Sequence, residues 1–277
     1  MKKEVRLVNK IKHLLRRANI PRWLHHFGPK KYEFYNHATA LLLKEVFKLS
    51  FRRVSKLLEM LGFNVPSYSA LCKMRKRILL VLWNKILQMT AKFNSDLVAV
   101  DSTGFNRTNP SFHYIKRIDR KVMRYIKLSS FLDTRRKKFI ALRIRAKPRH
   151  DVMDIKHLLN QRINMKKLIG DSAYDAESIH ELAHENGIIT VIKPKKNVRR
   201  GHYRKKQVKN YSERTYHRRS MIESGFSSLK RKYGSSISAK EISTQRAEIY
   251  CKVISYNLNL RSRRDFQLGL IRALSNL

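Results

Sequence analysis

Acidic residues are scarce in this 277-residue chain: 20 Asp and Glu stand against 62 Lys and Arg, a formal net charge of +42. A compact body with that imbalance repels itself unless a polyanion neutralises it. Nucleic acid is the polyanion that fits, because each phosphate contacted also releases counterions. Basic ribosomal and chromatin-packing proteins are usually shorter or more disordered, and nine Gly and six Pro are few for such a chain. Cysteine is nearly absent too. Cys72 and Cys251 make neither a disulfide framework nor a zinc-ribbon spacing; both fall in helical-looking segments and read as buried free thiols in a reducing compartment. Long apolar runs are also missing: the longest is Ile78 to Trp83, far short of a membrane span. The first seventeen residues alternate basic and apolar positions at helical spacing and lack the continuous apolar stretch of a signal peptide. A cytoplasmic, nucleoid-associated protein is expected, with no membrane partner.

What is present begins with a core. At 42% hydrophobic residues the chain can bury one large domain or two modest ones. Residues 1–95 read as helical, with helices expected over Asn36–Phe47, Phe51–Leu61 and Tyr68–Leu80. Gly62 ends the second of these and Ser67 caps the third. Helix, short Gly-containing turn and basic helix outline a helix-turn-helix over 51–80, with Lys73, Arg75, Lys76 and Arg77 as DNA contacts. An ordinary helical hairpin with a solvated basic face is the plainer alternative.

From about residue 96 the periodicity changes. Short apolar strands are expected at Leu97–Val100, 124–132, Lys138–Arg145, Leu168–Gly170 and Ile188–Ile192. Helices are expected over 152–161, from a cap at Asp175 to Asn186, and over 244–263. The order β, β-hairpin, α, β, α, β and then helices predicts a mixed α/β sheet flanked by helices over 96–277. Between Lys193 and Asn210, nine of eighteen residues are basic and none is acidic. This segment reads as a phosphate-gripping loop, with Arg199, Arg200, Arg204, Lys205 and Lys206 as its contacts.

Because acids are scarce, their placement is informative. Asp101 and Asp171 each end an apolar strand, and strand ends in open α/β sheets are where ligand sites form. A third acid, Glu223, lies in the run Tyr216 to Lys230. At about 100° per residue, Tyr216, Arg219, Glu223 and Lys230 fall at about 0°, 300°, 340° and 320° around one helix, beside an apolar stripe of Ile222, Phe226, Leu229 and Tyr233. Three acids from three elements can bind paired divalent cations through oxygen and so activate a hydroxyl and stabilise a leaving oxygen. Structural alternatives exist for each. Asp101 or Asp171 could cap a turn, and Glu223 could form a capping box with Ser220 or pair with Arg219.

Asp101, Asp171 and Glu223, with Tyr-x2-Arg-x3-Glu-x6-Lys around the last, resemble the DDE transposases of prokaryotic insertion sequences, in the subgroup with the Y-R-E-K signature. The resemblance covers about residues 96–260. It implies a ribonuclease H-like fold and two Mg2+ ions, with Mn2+ as a substitute, on Asp101, Asp171 and Glu223. It also implies DNA contacts from Tyr216, Arg219 and Lys230, and cleavage and strand transfer at inverted-repeat ends. Double-stranded DNA, both element ends and target, is then the partner, and synapsis of two ends calls for a homodimer or larger assembly. A non-catalytic or domesticated DNA-binding protein is the alternative, and a nuclease that cuts without joining a third reading. His150-Asp151, ahead of a helix, reads as a loop pair that supports the site. One competing motif, His180-Glu181-Leu182-Ala183-His184, matches a zinc protease helix. It lacks a third ligand at a recognisable spacing and leaves +42 unexplained.

Overall fold

The computed structural model describes residues 3–24, 30–91, 94–107, 125–147, 149–161, 163–196, 200–209 and 211–260. Five helices come first: α1 Lys3–Arg17, α2 Phe34–Phe47, α3 Phe51–Met60, α4 Tyr68–Arg77 and α5 Leu80–Thr90. Ser50 caps α3 by accepting from the Arg53 N–H, and Ser67 caps α4 by accepting from the Ala70 N–H. The helix expected to reach Leu80 stops at Arg77. Ile78 turns extended and is buried, and α5 restarts two residues on, so one expected helix is a bent pair.

Next come the strands β1 Asn94–Arg107, β2 Tyr125–Asp133 and β3 Lys138–Arg145, then α6 Val152–Leu159, β4 Asn164–Gly170, α7 Glu177–Glu185 and β5 Ile189–Ile192. The sheet runs β3-β2-β1-β4-β5. β1, β2 and β3 pair antiparallel, and β1, β4 and β5 pair parallel. This is a ribonuclease H-like mixed sheet, and the chain reaches β4 and β5 through helices α6 and α7. The described residues end with α8 His202–Lys209, α9 Glu213–Tyr216, a 3-10 turn His217–Arg219, α10 Ser220–Tyr233, a short β6 Ser236–Ile237 beside β1, and α11 Ile242–Asn259.

Side chains alternate across β1, and the two apolar clusters follow that alternation. Ala99 and Phe105 belong to a cluster shared with α1–α5, α10 and α11; Val98 and Val100 belong to the one shared with α6 and α7. The helical N-terminal region and the last helix therefore share one core with the sheet. Asn257 of α11 ties down edge strand β3: its Oδ1 accepts from the Phe139 N–H (3.0 Å) and its Nδ2 donates to the Phe139 carbonyl (2.7 Å).

Helix α10 sits close on the sheet because of Gly225. A Cβ there would stand 2.7 Å from Leu132 Cδ1 and 3.3 Å from Phe139 Cζ, both inside the core. Glycine in a helix interior costs about 1 kcal/mol relative to alanine. Here that cost is offset by the approach it permits, with Phe226 stacked on Phe139 at 5.4 Å.

Candidate active site

The two strand acids meet through register. The last parallel pair between β1 and β4 is Ala99 with Ile169. Asp101 and Asp171 each lie two residues further on, so they leave neighbouring strands, which run about 4.8 Å apart while paired, at the same height. β4 has ended there, whereas β1 continues to Arg107, paired with β2 through Asn106. Asp101 is therefore mid-strand, not at a strand end. The polar run Ser102-Thr103-Gly104 hides that continuation in the sequence, but β2 supplies a partner to every residue of it. Beyond Ala99, β1 is therefore paired on its β2 side and no longer on its β4 side.

Asp101 shares the face of β1 that carries Ala99, the face covered by α10. Its Oδ1 accepts from the Ser102 N–H at 2.8 Å. Its Oδ2 faces Arg219 Nη1 at 3.4 Å, and Arg219 Nη2 donates to Glu223 Oε1 at 2.5 Å. One guanidinium thus joins the acid on the central strand to the acid on α10. Burial pushes the Asp101 carboxyl up to about 6, the Ser102 amide and Arg219 pull it down, and Asp171 and Glu223 raise it again. Asp171 Oδ1 accepts from the Ala173 N–H at 2.9 Å and caps the 3-10 turn Ser172–Tyr174. Beneath them the Tyr174 hydroxyl is buried; burial first, then Asp151, Asp101 and Asp171, drive its pKa upward.

The run holding Glu223 is not one uniform helix. A short α-helix, a 3-10 turn and α10 follow one another from Glu213 to Tyr233, with right-handed helical backbone at both junctions. Arg219 still reaches Glu223 four residues on. The capping box does not form: the Ser220 hydroxyl donates to the His217 carbonyl at 3.0 Å, and Arg219 occupies the cap position. Tyr216 is half-buried, its ring 5.8 Å from that of Tyr211. Lys230 lies 5.6 Å over the Phe105 ring, and partial burial lowers its pKa.

Of the other basic residues expected to touch DNA, Lys73, Arg77, Arg200, Lys205 and Lys206 are exposed. Lys76 is exposed and pairs with Glu241 at 2.8 Å. Two are corrected. Arg75 is turned inward, 4.7 Å over the Phe51 ring and 3.9 Å from buried Glu248. Arg204 clamps buried Asp175 through Nε at 2.9 Å and Nη2 at 2.6 Å. Arg199 lies outside the described residues. Cys72 is exposed rather than buried, because Leu71 is the residue α4 buries; Cys251 is buried as expected.

Eight of the eighteen residues of the basic segment 193–210 form helix α8, not loop. Glu177, on α7, accepts from the Tyr203 and Arg204 N–H groups at 2.9 and 3.1 Å and supplies the N-terminal cap that α8 lacks in its own sequence. Asp175 does not cap α7 as expected. It accepts from the Lys195 N–H (2.8 Å), His180 Nε2 (3.1 Å) and Arg204, and these contacts outweigh burial and hold its carboxyl down at about 2.

His180 is accounted for by the same cluster, with Nδ1 against Thr190 Oγ1 at 2.7 Å. Both ring nitrogens are engaged, burial lowers the pKa of the ring, and His184 instead packs its ring near Tyr203. The protease reading fails on this geometry. His180→Ala is expected to cost about 1–3 kcal/mol of stability, the penalty for a buried group left without its partner. Zinc content of the purified protein would stay unchanged; loss of one bound zinc on that substitution would contradict the assignment.

The donor set at the crevice fits a hard cation, since Asp101, Asp171 and Glu223 offer carboxylate oxygens alone. Among the described residues, no three His, Cys, Asp or Glu side chains already form a metal cage; the positive charge between Asp101 and Glu223 is Arg219. Among the same residues no helix is long and apolar enough to cross a membrane.

The sequence pattern of the Transposase DDE domain family matches residues 92–258. The chain belongs to that family. Its backbone is also similar to a piggyBac transposase, solved by cryo-EM as a synaptic complex with hairpin DNA, over 97% of this chain and 77% of that one, at 11% identity and a TM-score of 0.43. That likeness is too distant to bear on partners. No curated protein sequence matches.

Proposed function

We propose that this chain is a metal-dependent DNA transposase that binds the inverted-repeat ends of its element, cuts them and joins them to a target. The supporting observation is the junction of Asp101, Arg219 and Glu223, with Asp171 at equal height just past the end of β4. Like charges gathered at a partly buried crevice raise the energy of the metal-free site, and a divalent cation relieves that repulsion. Asp101, Asp171 and Glu223 would hold two Mg2+ ions, with Mn2+ as a substitute. Bound there, they supply a Lewis acid and an activated oxygen nucleophile for phosphodiester exchange.

The chain's own residues do the rest. Ser102 N–H and Ala173 N–H orient the two Asp carboxylates. Arg219, a planar fork, releases the acids and grips a DNA phosphate. Tyr216 stacks on an unpaired base near the cut, and Lys230 adds a point charge two turns further along α10. Lys73, Lys76, Arg77, Arg200, Lys205 and Lys206 extend the positive surface along the duplex. Pairing two ends calls for two or more copies of the chain. The Y-R-E-K subgroup of insertion-sequence transposases is the assignment within the family that these residues support.

Glu223→Gln tests the reading. Affinity for a duplex carrying the element end is expected to hold within a few-fold, because one of many charges changes. Mg2+-dependent nicking should fall by about three orders of magnitude, as several kcal/mol of charge stabilisation are lost. Nicking at an undiminished rate would exclude Glu223 from the chemistry.

A further inference from the structure

On the face of the sheet covered by α6 lies Asp151, which the sequence marks only as half of a supporting loop pair, with no stated partner. It precedes α6 at the cap position, where an Asp ordinarily accepts from the first turn of its own helix. Its side chain makes no such bond. Instead Oδ1 accepts from the Ser102 hydroxyl at 3.2 Å and from Lys127 Nζ in a close ion pair. Lys127, from β2, also donates to the Arg149 carbonyl at 2.8 Å, so the loop before α6 is fastened to the sheet at two points. The Asp151 and Lys127 side chains are 23% and 13% exposed, which is sheltered enough for the pair to hold its geometry.

Ser102 is where the two faces connect. Its side chain points to α6 and Asp151, and its amide points to Asp101. Pairing between β1 and β4 has stopped at Ala99, and the Ser102 amide is given to Asp101 Oδ1. Holding the hydroxyl of Ser102 therefore holds the donor that aims the carboxylate of Asp101.

We propose that Asp151 is a positioning residue for Asp101, acting through Ser102 and anchored by Lys127 from the opposite face of the sheet. The inference rests on the metal-binding reading of Asp101. Partners one shell out from a metal ligand typically change metal affinity or activity 10–100-fold when removed.

The test uses the full-length chain and Mn2+ alone, counted by the loss of the free-ion electron paramagnetic resonance signal, alongside single-turnover nicking at saturating DNA. Asp151→Ala is expected to weaken Mn2+ binding and slow nicking about tenfold or more, with the affinity for DNA unchanged. Ser102→Ala should do the same to a smaller degree and Ser102→Thr should restore most of it. The double variant Ser102→Ala/Asp151→Ala should be no worse than Asp151→Ala, because the two act in series. Should Asp151→Ala fail to fold, the Ser102 pair and Asp151→Asn carry the test. Wild-type Mn2+ binding in Asp151→Ala and Ser102→Ala would overturn the proposal while leaving the metal reading intact. Additive losses, or a loss confined to DNA affinity, would also overturn it. Absence of Mn2+ binding by the unaltered chain would overturn the metal reading and the inference with it.

Discussion

Asp101→Asn is expected to abolish Mg2+-dependent nicking and, at the same time, to make the metal-free protein more stable. The first effect follows from the loss of a charged oxygen donor on the central strand, a change of several kcal/mol in stabilisation of the reacting phosphate, or about a thousandfold or more in rate. The second follows from the cost of holding a carboxylate partly out of water beside Asp171 and Glu223. Burial, first, and those two acids raise the Asp101 pKa to about 6 against an ordinary 3.8. The sign is set by proton release. Below about pH 4 the carboxyl is neutral in both folded and unfolded chains and contributes nothing. As pH rises from about 4 to about 6 the unfolded chain gives up its proton first, so stability falls. Above about 6 the penalty is constant.

Asparagine escapes that penalty, and Arg219 keeps Glu223 as its partner. After allowing for the solvent that still reaches the carboxylate, the gain is roughly 1 kcal/mol, or about 2–4 °C in Tm near pH 7.5, and it should vanish near pH 4. Thermal melts of both proteins at pH 4 and 7.5, without divalent ions, check it. A variant that nicks normally, or that is destabilised at neutral pH, would contradict the account of this residue. Stability gained and activity lost at one position is the mark of a site that keeps strain for its chemistry.

The second large effect lies outside the crevice. Asp175→Asn is expected to destabilise the protein by about 3–5 kcal/mol, because it leaves Arg204 beside a group that no longer balances its charge. That corresponds to a fall of roughly 10 °C. Asp175 is buried and holds α7 to α8 through Arg204, while the Lys195 N–H and His180 tie in the end of β5. Its pKa is depressed to about 2. The stabilisation is therefore present above about pH 4 and is lost as pH falls from about 4 to about 2. The variant and the parent should converge in stability across that interval; melts at pH 2.5 and 6 check it. A loss of less than about 1 kcal/mol at pH 6, the size of an exposed ion pair, would show that the clamp is no stronger than a surface pair.

The strands were legible because their apolar runs are short, dense and bounded by turn residues. Lys138–Arg145 comes out residue for residue. Asp171 and Glu223 were legible as scarce acids at informative places. The errors share one physical source, since partners distant in sequence leave no local mark. Asp101 reads as a strand end because Ser102-Thr103-Gly104 is polar, yet β2 keeps that segment in the sheet. The inward contacts of Arg75 and Arg204 leave no mark for the same reason, because Glu248 and Asp175 are distant in sequence. Helix α8 reads as loop because its N-terminal cap is Glu177, on another helix. Ser102 left no signal at all, since its role depends on which way one side chain points across a strand.

The most direct test is a crystal of the chain with a duplex element end and Mn2+, recorded at the manganese absorption edge. Two anomalous peaks are expected among the carboxylates of Asp101, Asp171 and Glu223, about 3.5–4 Å apart, with the guanidinium of Arg219 moved onto a phosphate. Peaks elsewhere, or none while Arg219 still bridges Asp101 and Glu223, would contradict the metal reading.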